Sequence, residues 1–333
     1  MTRHETVPDR MPRKEGLALW FEDAGRCALR HERLPAGCDG EVLVRTLFSG
    51  ISRGTEALVF NGRVPESEYG RMRAPHQVGQ FPFPVKYGYA AVGLVEEGLQ
   101  SLVGRTVFCL HPHQDCFHVP ASMAHPLPEV LPPARAILAA NMETALNVVW
   151  DASIQPGDRV AVFGAGVVGL LAAYLASRII GTDVAIADIE PERAGAARAL
   201  GLCFVRPEKA PKDCDVLINA SASSEALATA LDHAGFEARI VEASWYGERH
   251  VEIPLGGAFH AKRLSIVSSQ VATLPPGRRA RWNAPRRMAK ALELLADDRL
   301  DHLISGETAF RTIAVDYADI IGSPDTLCHR IRY

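Results

Sequence analysis

Three glycines with the spacing G-x-G-x-x-G, Gly164, Gly166 and Gly169, follow the apolar segment RVAVF and open the apolar segment VVGLLAAYLASRII. The first glycine of such a turn permits a tight bend, the second lets the backbone approach a pyrophosphate, and the third lets helix and strand pack closely. Free N–H groups at the start of the helix attract phosphate. The spacing therefore predicts a dinucleotide site, and Val167 and Val168 of the same turn belong to its predicted cofactor-binding residues.

Asp188 closes the next apolar run, DVAIAD, at about the distance from the glycines that a dinucleotide fingerprint requires. A carboxylate at this point accepts hydrogen bonds from the adenosine ribose hydroxyls and repels a 2′-phosphate. Arg193 follows closely enough to weaken that repulsion. We therefore expect NAD as the cofactor, with NADP less favoured.

The pattern of apolar residues changes along the chain, and this change predicts which strands and helices hold the glycine turn. From Leu17 to about Pro128, short apolar runs are broken by glycine and proline, which predicts a mostly β domain. After Pro132 the apolar spacing becomes helical, and strands then alternate with helices, which predicts a doubly wound parallel sheet. The last segment is expected to return to the first domain as a strand. We predict an α/β chain with a β domain at 1–148, completed by 300–333, and a dinucleotide-binding domain at 149–299.

Composition excludes several classes of protein. The 333 residues carry a formal net charge of −3 without a basic field, so we expect no nucleic-acid partner. No apolar run approaches the roughly 20 residues that span a bilayer, and the polar N-terminus does not have the pattern of a secretory signal. We expect a cytoplasmic protein with no membrane contact. The seven cysteines are scattered without a C-x-x-C pair, which argues against a disulfide framework and a zinc ribbon.

The segments EVLVRTLFSGISRGTE, PVKYGYAAVGLVEEG, GRTVFCL and FHAKRLSIVSSQ, together with the glycine turn, resemble the medium-chain dehydrogenase/reductase superfamily of alcohol dehydrogenase-like proteins. The resemblance implies a GroES-like β catalytic domain and an inserted Rossmann domain. It places Arg53 near the cofactor pyrophosphate, Thr144 near the nicotinamide, and Asp188 and Arg193 at the adenosine ribose. It also implies a small-molecule substrate and a homodimer joined along the edge strand RLSIVSSQ.

The zinc ligands of that family do not carry over. Zinc-dependent members have cysteine in G-I-C, histidine in G-H-E and a later cysteine or aspartate, where this chain has Ser52, Tyr89 and either Ala140 or Asn141. Neutral groups of this kind do not retain zinc. The hydroxyl residue that begins the family's proton relay corresponds to Gly54. We expect a zinc-independent member without a metal site, similar to the bacteriochlorophyllide dehydrogenase-like branch in its GIS-x-GTE and GYA-x-VG patterns.

A nicotinamide cofactor transfers hydride, so the negative charge that develops on a substrate oxygen needs a hydrogen-bond donor when zinc is absent. Tyr89 is the first candidate for the general acid, with Ser52 and His113 behind it; as an alternative, Tyr89 only shapes the pocket. Glu56 is expected to accept hydrogen bonds from nearby backbone or from Arg53. The prediction is an NAD(H)-dependent oxidoreductase acting on an alcohol/carbonyl pair. The alternatives are an NADPH-dependent quinone or enone reductase and a non-catalytic NAD(H)-binding sensor.

Two further segments have open interpretations. The run CLHPHQDCFH contains five residues competent to bind zinc or copper, and the alternative is a polar loop whose histidines face the cleft or water. Those residues are Cys109, His111, His113, Cys116 and His118. The long loop RVPESEYGRMRAPHQVGQFPFPVKYG, with Arg63, Arg71, Arg73 and Phe81, is suited to a large, flat or anionic substrate, or is simply solvated.

Overall fold

A computed structural model describes residues 15–333. The polar N-terminal segment on which the secretory-signal argument depends lies almost wholly outside the described residues. Within 15–333, no helix is both long and apolar enough to cross a membrane.

Two sheets are built mainly from the N-terminal part of the chain, and the larger of them also takes two strands from the C-terminal segment. A four-stranded sheet contains β1 (Glu15–Asp23), β2 (Arg26–Arg33), β4 (Val78–Gly79) and β5 (Val85–Lys86), in the order β2-β1-β5-β4. A seven-stranded sheet contains β3 (Glu41–Ser52), β6 (Ala91–Glu97), β7 (Thr106–Cys109), β8 (Cys116–Pro120), β9 (His125–Pro126), β16 (Ile304–Ala309) and β17 (Cys328–Arg332). Its order is β16-β17-β3-β6-β7-β9, with β8 also on β3. The predicted return of the last segment as a strand is confirmed, because β17 pairs antiparallel with β3.

The third sheet is parallel and six-stranded. It contains β10 (Arg159–Phe163), β11 (Asp183–Ala187), β12 (Cys203–Val205), β13 (Cys214–Asn219), β14 (Ala234–Glu242) and β15 (Ser265–Ser268). Their order, β12-β11-β10-β13-β14-β15, is that of a doubly wound Rossmann sheet, as predicted. The segment RLSIVSSQ forms β15 at the edge of this sheet. The homodimer expected there stays a prediction.

Within residues 15–333, eight α-helices connect and cover these strands. They are α1 (Arg53–Phe60), α2 (Pro133–Ala136), α3 (Ala139–Ala152), α4 (Val167–Ala176), α5 (Ala194–Ala199), α6 (Ser224–His233), α7 (Ala284–Leu294) and α8 (Ile313–Gly322). The helix α4 is buried on nearly all sides because it packs on the parallel sheet and on α3. Its start directly after Gly166 directs its N-terminal N–H groups toward the ends of the strands.

The core of the parallel sheet has two faces, as the sequence predicted. Along β10, Val160 and Val162 pack into the cluster that contains α3 and α4. The alternate residues Ala161 and Phe163 pack into a second cluster that contains α6. Because successive strand residues point to opposite faces, both faces of the sheet are covered by helices.

The long loop before β5 makes most of its contacts with itself. Arg71 pairs with Glu68, and Arg73 donates to the carbonyl oxygens of Gln77 and Gly79 at 3.0 and 3.1 Å. Phe81 is 5% exposed and packs in the core of the β domain. These contacts keep the three side chains away from the cleft described below, so the expectation that they meet a large or anionic substrate is not supported.

Candidate functional site

A cleft of about 550 Å³ opens where the carboxyl ends of the parallel strands meet α1 and the turn before β17. Ligands of open α/β sheets bind at this end of the strands. The cleft brings together most of the predicted cofactor residues, which are Arg53, Gly164, Gly166, Val167, Val168, Asp188 and Arg193, and the predicted catalytic residue Ser52. Four predicted residues are not part of its lining: Tyr89, His113, Thr144 and Gly169.

The glycine turn has room for a ligand on one side only. A Cβ added to Gly169 would lie 1.9 Å from the carbonyl oxygen of Gly164, so this position is closed by the packing of α4 against the turn. A Cβ added to Gly166 would meet nothing within 4 Å. The open position faces the cleft at the start of a helix, which is the arrangement that accepts a pyrophosphate.

Asp188 is held rigidly at the end of β11. Its Oδ2 accepts a hydrogen bond from the backbone N–H of Ala165 at 2.5 Å, and its Oδ1 accepts one from Glu190 N–H at 2.9 Å. The first bond ties the carboxylate to the glycine turn of the neighbouring strand. The acidic group is therefore presented beside the place where the backbone can approach phosphates.

Two arginines lie near this carboxylate and are both anchored on the C-terminal segment. Arg193 is buried and donates to the carbonyl oxygens of Pro324 and Thr326, the second at 3.2 Å. Arg53 Nε donates to the carbonyl of Ile321 at 3.2 Å. Burial lowers the pKa of Arg193 and the like charge of Arg53 lowers it further, while Asp188 offsets part of this. The cleft wall is therefore positively charged next to Asp188.

Thr144 is expected near the nicotinamide. Its hydroxyl donates to the carbonyl of Ala140 at 2.9 Å, one turn earlier in α3. A threonine that bonds back to its own helix does not direct that proton to a ligand. The contact of Thr144 with a cofactor stays a prediction.

Ser52 and Tyr89, the first two candidates for catalysis, are neighbours. Burial raises the pKa of Tyr89 and the negative Glu56 adds to this, while hydrogen bonds from Ser52 and Thr55 offset part of it. Asn141 Nδ2 donates to Ser52 Oγ at 3.0 Å. Ser52 lines the cleft and Tyr89 stands behind it, so the two hydroxyls form one hydrogen-bonded group at the cleft wall.

Thr55 is a cleft residue that sequence reasoning missed. The alignment of motifs placed the relay hydroxyl at Gly54, where there is none. The next residue, Thr55, lines the cleft and hydrogen-bonds with Tyr89. The hydroxyl is present one position later because α1 begins at Arg53, and its first turn carries Thr55 into the cleft.

The positions that hold zinc in the resembling family do not fit a metal here. Asn141 presents its amide N–H₂ to Ser52, and only its neutral carbonyl oxygen, a poor ligand for zinc, is left over. Ser52 and Tyr89 are hydroxyl groups that bond with each other. Zinc is held by thiolate, imidazole and carboxylate groups, and these three positions supply none of them.

Glu56 and His113 lie beneath this group, and neither is exposed to solvent. Glu56 Oε1 accepts from the backbone N–H of Ser52 at 2.7 Å, so the expected role of Glu56 as an acceptor for nearby backbone agrees with the structure. Its Oε2 lies 3.0 Å from His113 Nε2. His113 is expected to face the cleft, and this is wrong: both of its ring nitrogens are engaged in the interior, Nδ1 by Ser49 at 2.8 Å.

The other cysteines and histidines of CLHPHQDCFH do not converge. The strand β7 ends at Cys109, so His111 and His113 lie beyond it and do not share one strand face with Cys109. His111 stacks on Phe117 with ring centroids 3.6 Å apart and bonds to the carbonyl of Pro112. Among residues 15–333, no group of three or more histidine, cysteine, aspartate or glutamate side chains is arranged to hold a metal ion.

Comparison with known proteins agrees with this geometry. The family "Alanine dehydrogenase/PNT, C-terminal domain" matches residues 140–238, which contain the glycine turn and Asp188. A zinc-type alcohol dehydrogenase-like protein of Haemophilus influenzae is 23% identical over 92% of this chain and 96% of its own length.

Two solved structures share the fold over almost the whole chain. An alcohol dehydrogenase from Escherichia coli CFT073, solved with NADH, has a TM-score of 0.77 at 18% identity and covers 96% of this chain and 100% of its own. A dehydrogenase from Sinorhizobium meliloti 1021, bound to NADP, has a TM-score of 0.76 at 19% identity, with coverage of 96% and 100%. Over nearly its whole length the chain is therefore similar to alcohol dehydrogenase-like oxidoreductases, and it shares with the solved structures the fold of a GroES-like and a Rossmann domain.

Proposed function

We propose that this protein is an NAD(H)-dependent, zinc-independent dehydrogenase/reductase that acts on a small-molecule alcohol/carbonyl pair. The single observation that carries the proposal is the fixed carboxylate of Asp188 beside the open position at Gly166. Arg53, Val167 and Val168 complete the wall that would hold the nucleotide. When bound, the nicotinamide supplies or accepts a hydride.

The choice of NAD over NADP follows from electrostatics. Asp188 makes no ion pair with Arg193, because the guanidinium of Arg193 donates instead to two carbonyl oxygens. The carboxylate therefore keeps its capacity to accept ribose hydroxyls and its repulsion of a 2′-phosphate.

We assign the stabilisation of negative charge on the substrate oxygen to the hydroxyl groups of Ser52, Thr55 and Tyr89. Ser52 and Thr55 line the cleft, and either hydroxyl can donate to a substrate oxygen on which negative charge develops. Tyr89 stands behind them and stays protonated because burial raises its pKa, so its phenol can donate a hydrogen bond to that hydroxyl pair. In this arrangement hydroxyl donors replace a metal as the stabiliser of the oxyanion.

The cofactor assignment is tested by equilibrium titration with NADH and NADPH, followed by nucleotide fluorescence. We expect NADH to bind at least about tenfold more tightly, which corresponds to about 1.4 kcal/mol. Asp188→Ser should reduce or reverse the preference for NADH over NADPH, because it removes the charge that repels a 2′-phosphate. Asp183→Asn, at the exposed opposite end of β11, is the matched control and should leave the ratio unchanged.

A second candidate, an NADPH-dependent quinone or enone reductase, is favoured by one observation. Arg53 and Arg193 both line the cleft near Asp188 and supply the positive charge that a 2′-phosphate needs. Tighter binding of NADPH by the wild-type protein, with reduction of a quinone and no carbonyl turnover, would select this candidate. Cofactor binding without turnover of any substrate class would instead select the NAD(H)-binding sensor.

We also propose that the protein is a homodimer joined through β15. The strand lies at the edge of the parallel sheet, and its outer backbone groups are available for pairing with a second copy. Light scattering at micromolar concentration should give twice the mass of the chain. The mass of a monomer would rule out the homodimer without affecting the cofactor assignment.

A further inference from the structure

Glu56 is a fully buried carboxylate with three hydrogen-bond donors around it. Ser52 N–H donates to Oε1 at 2.7 Å. Tyr317 Oη donates to Oε2 at 2.6 Å, and His113 Nε2 lies 3.0 Å from the same oxygen. A buried carboxylate is stable only when its oxygens are satisfied in this way. The proposed function assigns no task to this group.

Two further hydrogen bonds continue the network beyond His113. Ser49 Oγ lies 2.8 Å from His113 Nδ1 and 2.9 Å from Tyr333 Oη. One set of protons satisfies every pair: Tyr333 donates to Ser49, Ser49 donates to Nδ1, and the Nε2–H of His113 donates to Glu56. Hydrogen bonds at both ring nitrogens thereby hold the imidazole in one orientation.

Glu56 also holds the residue at which α1 starts. Ser52 is the N-cap residue, and its side chain makes no capping hydrogen bond. An N-cap serine ordinarily turns its hydroxyl back onto the free N–H groups of the first turn. Here Glu56, one position later than the acidic residue of a capping box, reaches back to the N–H of Ser52 and fixes its backbone. The hydroxyl of Ser52 points instead to Asn141 and Tyr89.

His113 supports the other hydroxyl residue, Tyr89, in a different way. Its ring packs against Gly88, where an added Cβ would lie 2.9 Å from two ring atoms. Gly88 is the residue directly before Tyr89. The imidazole therefore fills the space under the backbone that carries the phenol, and Glu56 holds the imidazole in place.

We propose that Glu56 and His113 act as one positioning pair: Glu56 holds the backbone of Ser52 through its N–H so that the hydroxyl of Ser52 is directed toward the substrate, and His113 supports the backbone of Tyr89. The proposal rests on the proposed function, in which these hydroxyls serve the reaction. Neither member of the pair touches the cleft, so both act through Ser52 and Tyr89.

The test is a double-mutant cycle on the kcat/KM of carbonyl reduction by NADH. Ser52→Ala alone should lower kcat/KM by about 100-fold, the range found when one donor to an oxyanion is removed. In the Glu56→Ala background the backbone of Ser52 loses this hydrogen bond, and its hydroxyl should turn to accept a hydrogen bond from the N–H of Gly54 or Thr55. Ser52→Ala should then cost less than about threefold, because residues that act together are not additive. Equal losses in the two backgrounds would overturn the proposal.

Asp297→Ala is the matched control for general damage. Its carboxylate also holds several partners, Tyr174 Oη at 2.7 Å and Arg178 at 3.0 Å, but it lies outside the cleft lining. Ser52→Ala should keep its full cost in that background. If Glu56→Ala does not fold, Glu56→Asp keeps the charge with one methylene less reach, and Ser52→Ala should again cost less there than in the wild type.

A crystal structure of the Glu56 variant separates this proposal from the proposed function. We expect Ser52 Oγ within hydrogen-bond distance of a first-turn N–H and no longer bonded to Asn141. A Ser52 side chain that keeps its bond to Asn141 would overturn the positioning role, whatever the turnover. If the side chain turns as expected but Ser52→Ala and Tyr89→Phe leave turnover unchanged, the positioning role is upheld and the proposed donors are wrong.

Discussion

The carboxylate of Glu56 and the imidazole of His113 lie 3.0 Å apart, and neither is accessible to solvent. Removing one partner of a buried pair leaves the other without its hydrogen bond in a medium that solvates charge poorly. Breaking such a pair costs about 3–5 kcal/mol.

We therefore expect His113→Ala to lower the free energy of unfolding by about 3–5 kcal/mol, measured by urea denaturation. The exposed His302→Ala should change it by less than about 0.5 kcal/mol. A loss below about 1 kcal/mol for His113→Ala would show that the pair contributes little to stability.

The glycine turn predicts opposite results for two alanine substitutions. Gly169→Ala places a Cβ 1.9 Å from the carbonyl oxygen of Gly164 and should lower stability by about 1–3 kcal/mol through overpacking. Gly166→Ala meets no atom within 4 Å and should leave the melting temperature nearly unchanged. It should nevertheless weaken NADH binding at least about tenfold, because its methyl group occupies the phosphate side of the turn. Gly166→Ala with wild-type NADH affinity would place the cofactor elsewhere.

The glycines and Asp188 were predictable because the signal is local: the motif, its strand and its helix lie within about 30 residues. The pair Glu56 and His113 was not, since 57 residues separate its members and Tyr317 lies 261 residues from Glu56. Nothing in CLHPHQDCFH indicates which histidine turns inward. Thr55 was missed for a third reason, because the position at which α1 begins decides whether residue 54 or 55 enters the cleft.

Arg193 links the Rossmann sheet to the turn before β17. Arg193→Ala leaves the carbonyl oxygens of Pro324 and Thr326 without this donor and removes a positive charge from the cleft. We expect NADH affinity to fall about tenfold, or about 1.4 kcal/mol, in an equilibrium titration. Arg198→Ala, exposed on the following helix, should bind NADH as the wild type does. An unchanged Kd for Arg193→Ala would show that this link is not needed for nucleotide binding.

The raised pKa of Tyr89 predicts the pH dependence of reduction. The phenol donates only while protonated, and a raised pKa keeps it protonated beyond the ordinary value of about 10. The kcat/KM for carbonyl reduction should therefore show no loss due to Tyr89 between about pH 7 and pH 9.5. Tyr89→Phe should lower the rate across this range, whereas Tyr69→Phe, outside the cleft, should not. A loss of rate centred near pH 8 that disappears in Tyr89→Phe would contradict the assignment.

The central claim is that hydroxyl donors, without a metal, serve NADH-dependent carbonyl reduction. The most direct test measures turnover and zinc content on the same sample, by NADH absorbance and elemental mass spectrometry, before and after treatment with a chelator. We predict a zinc-to-chain ratio near zero and turnover that the chelator does not change. Turnover that is lost on chelation and restored by added zinc would contradict the account and assign the oxyanion to a metal.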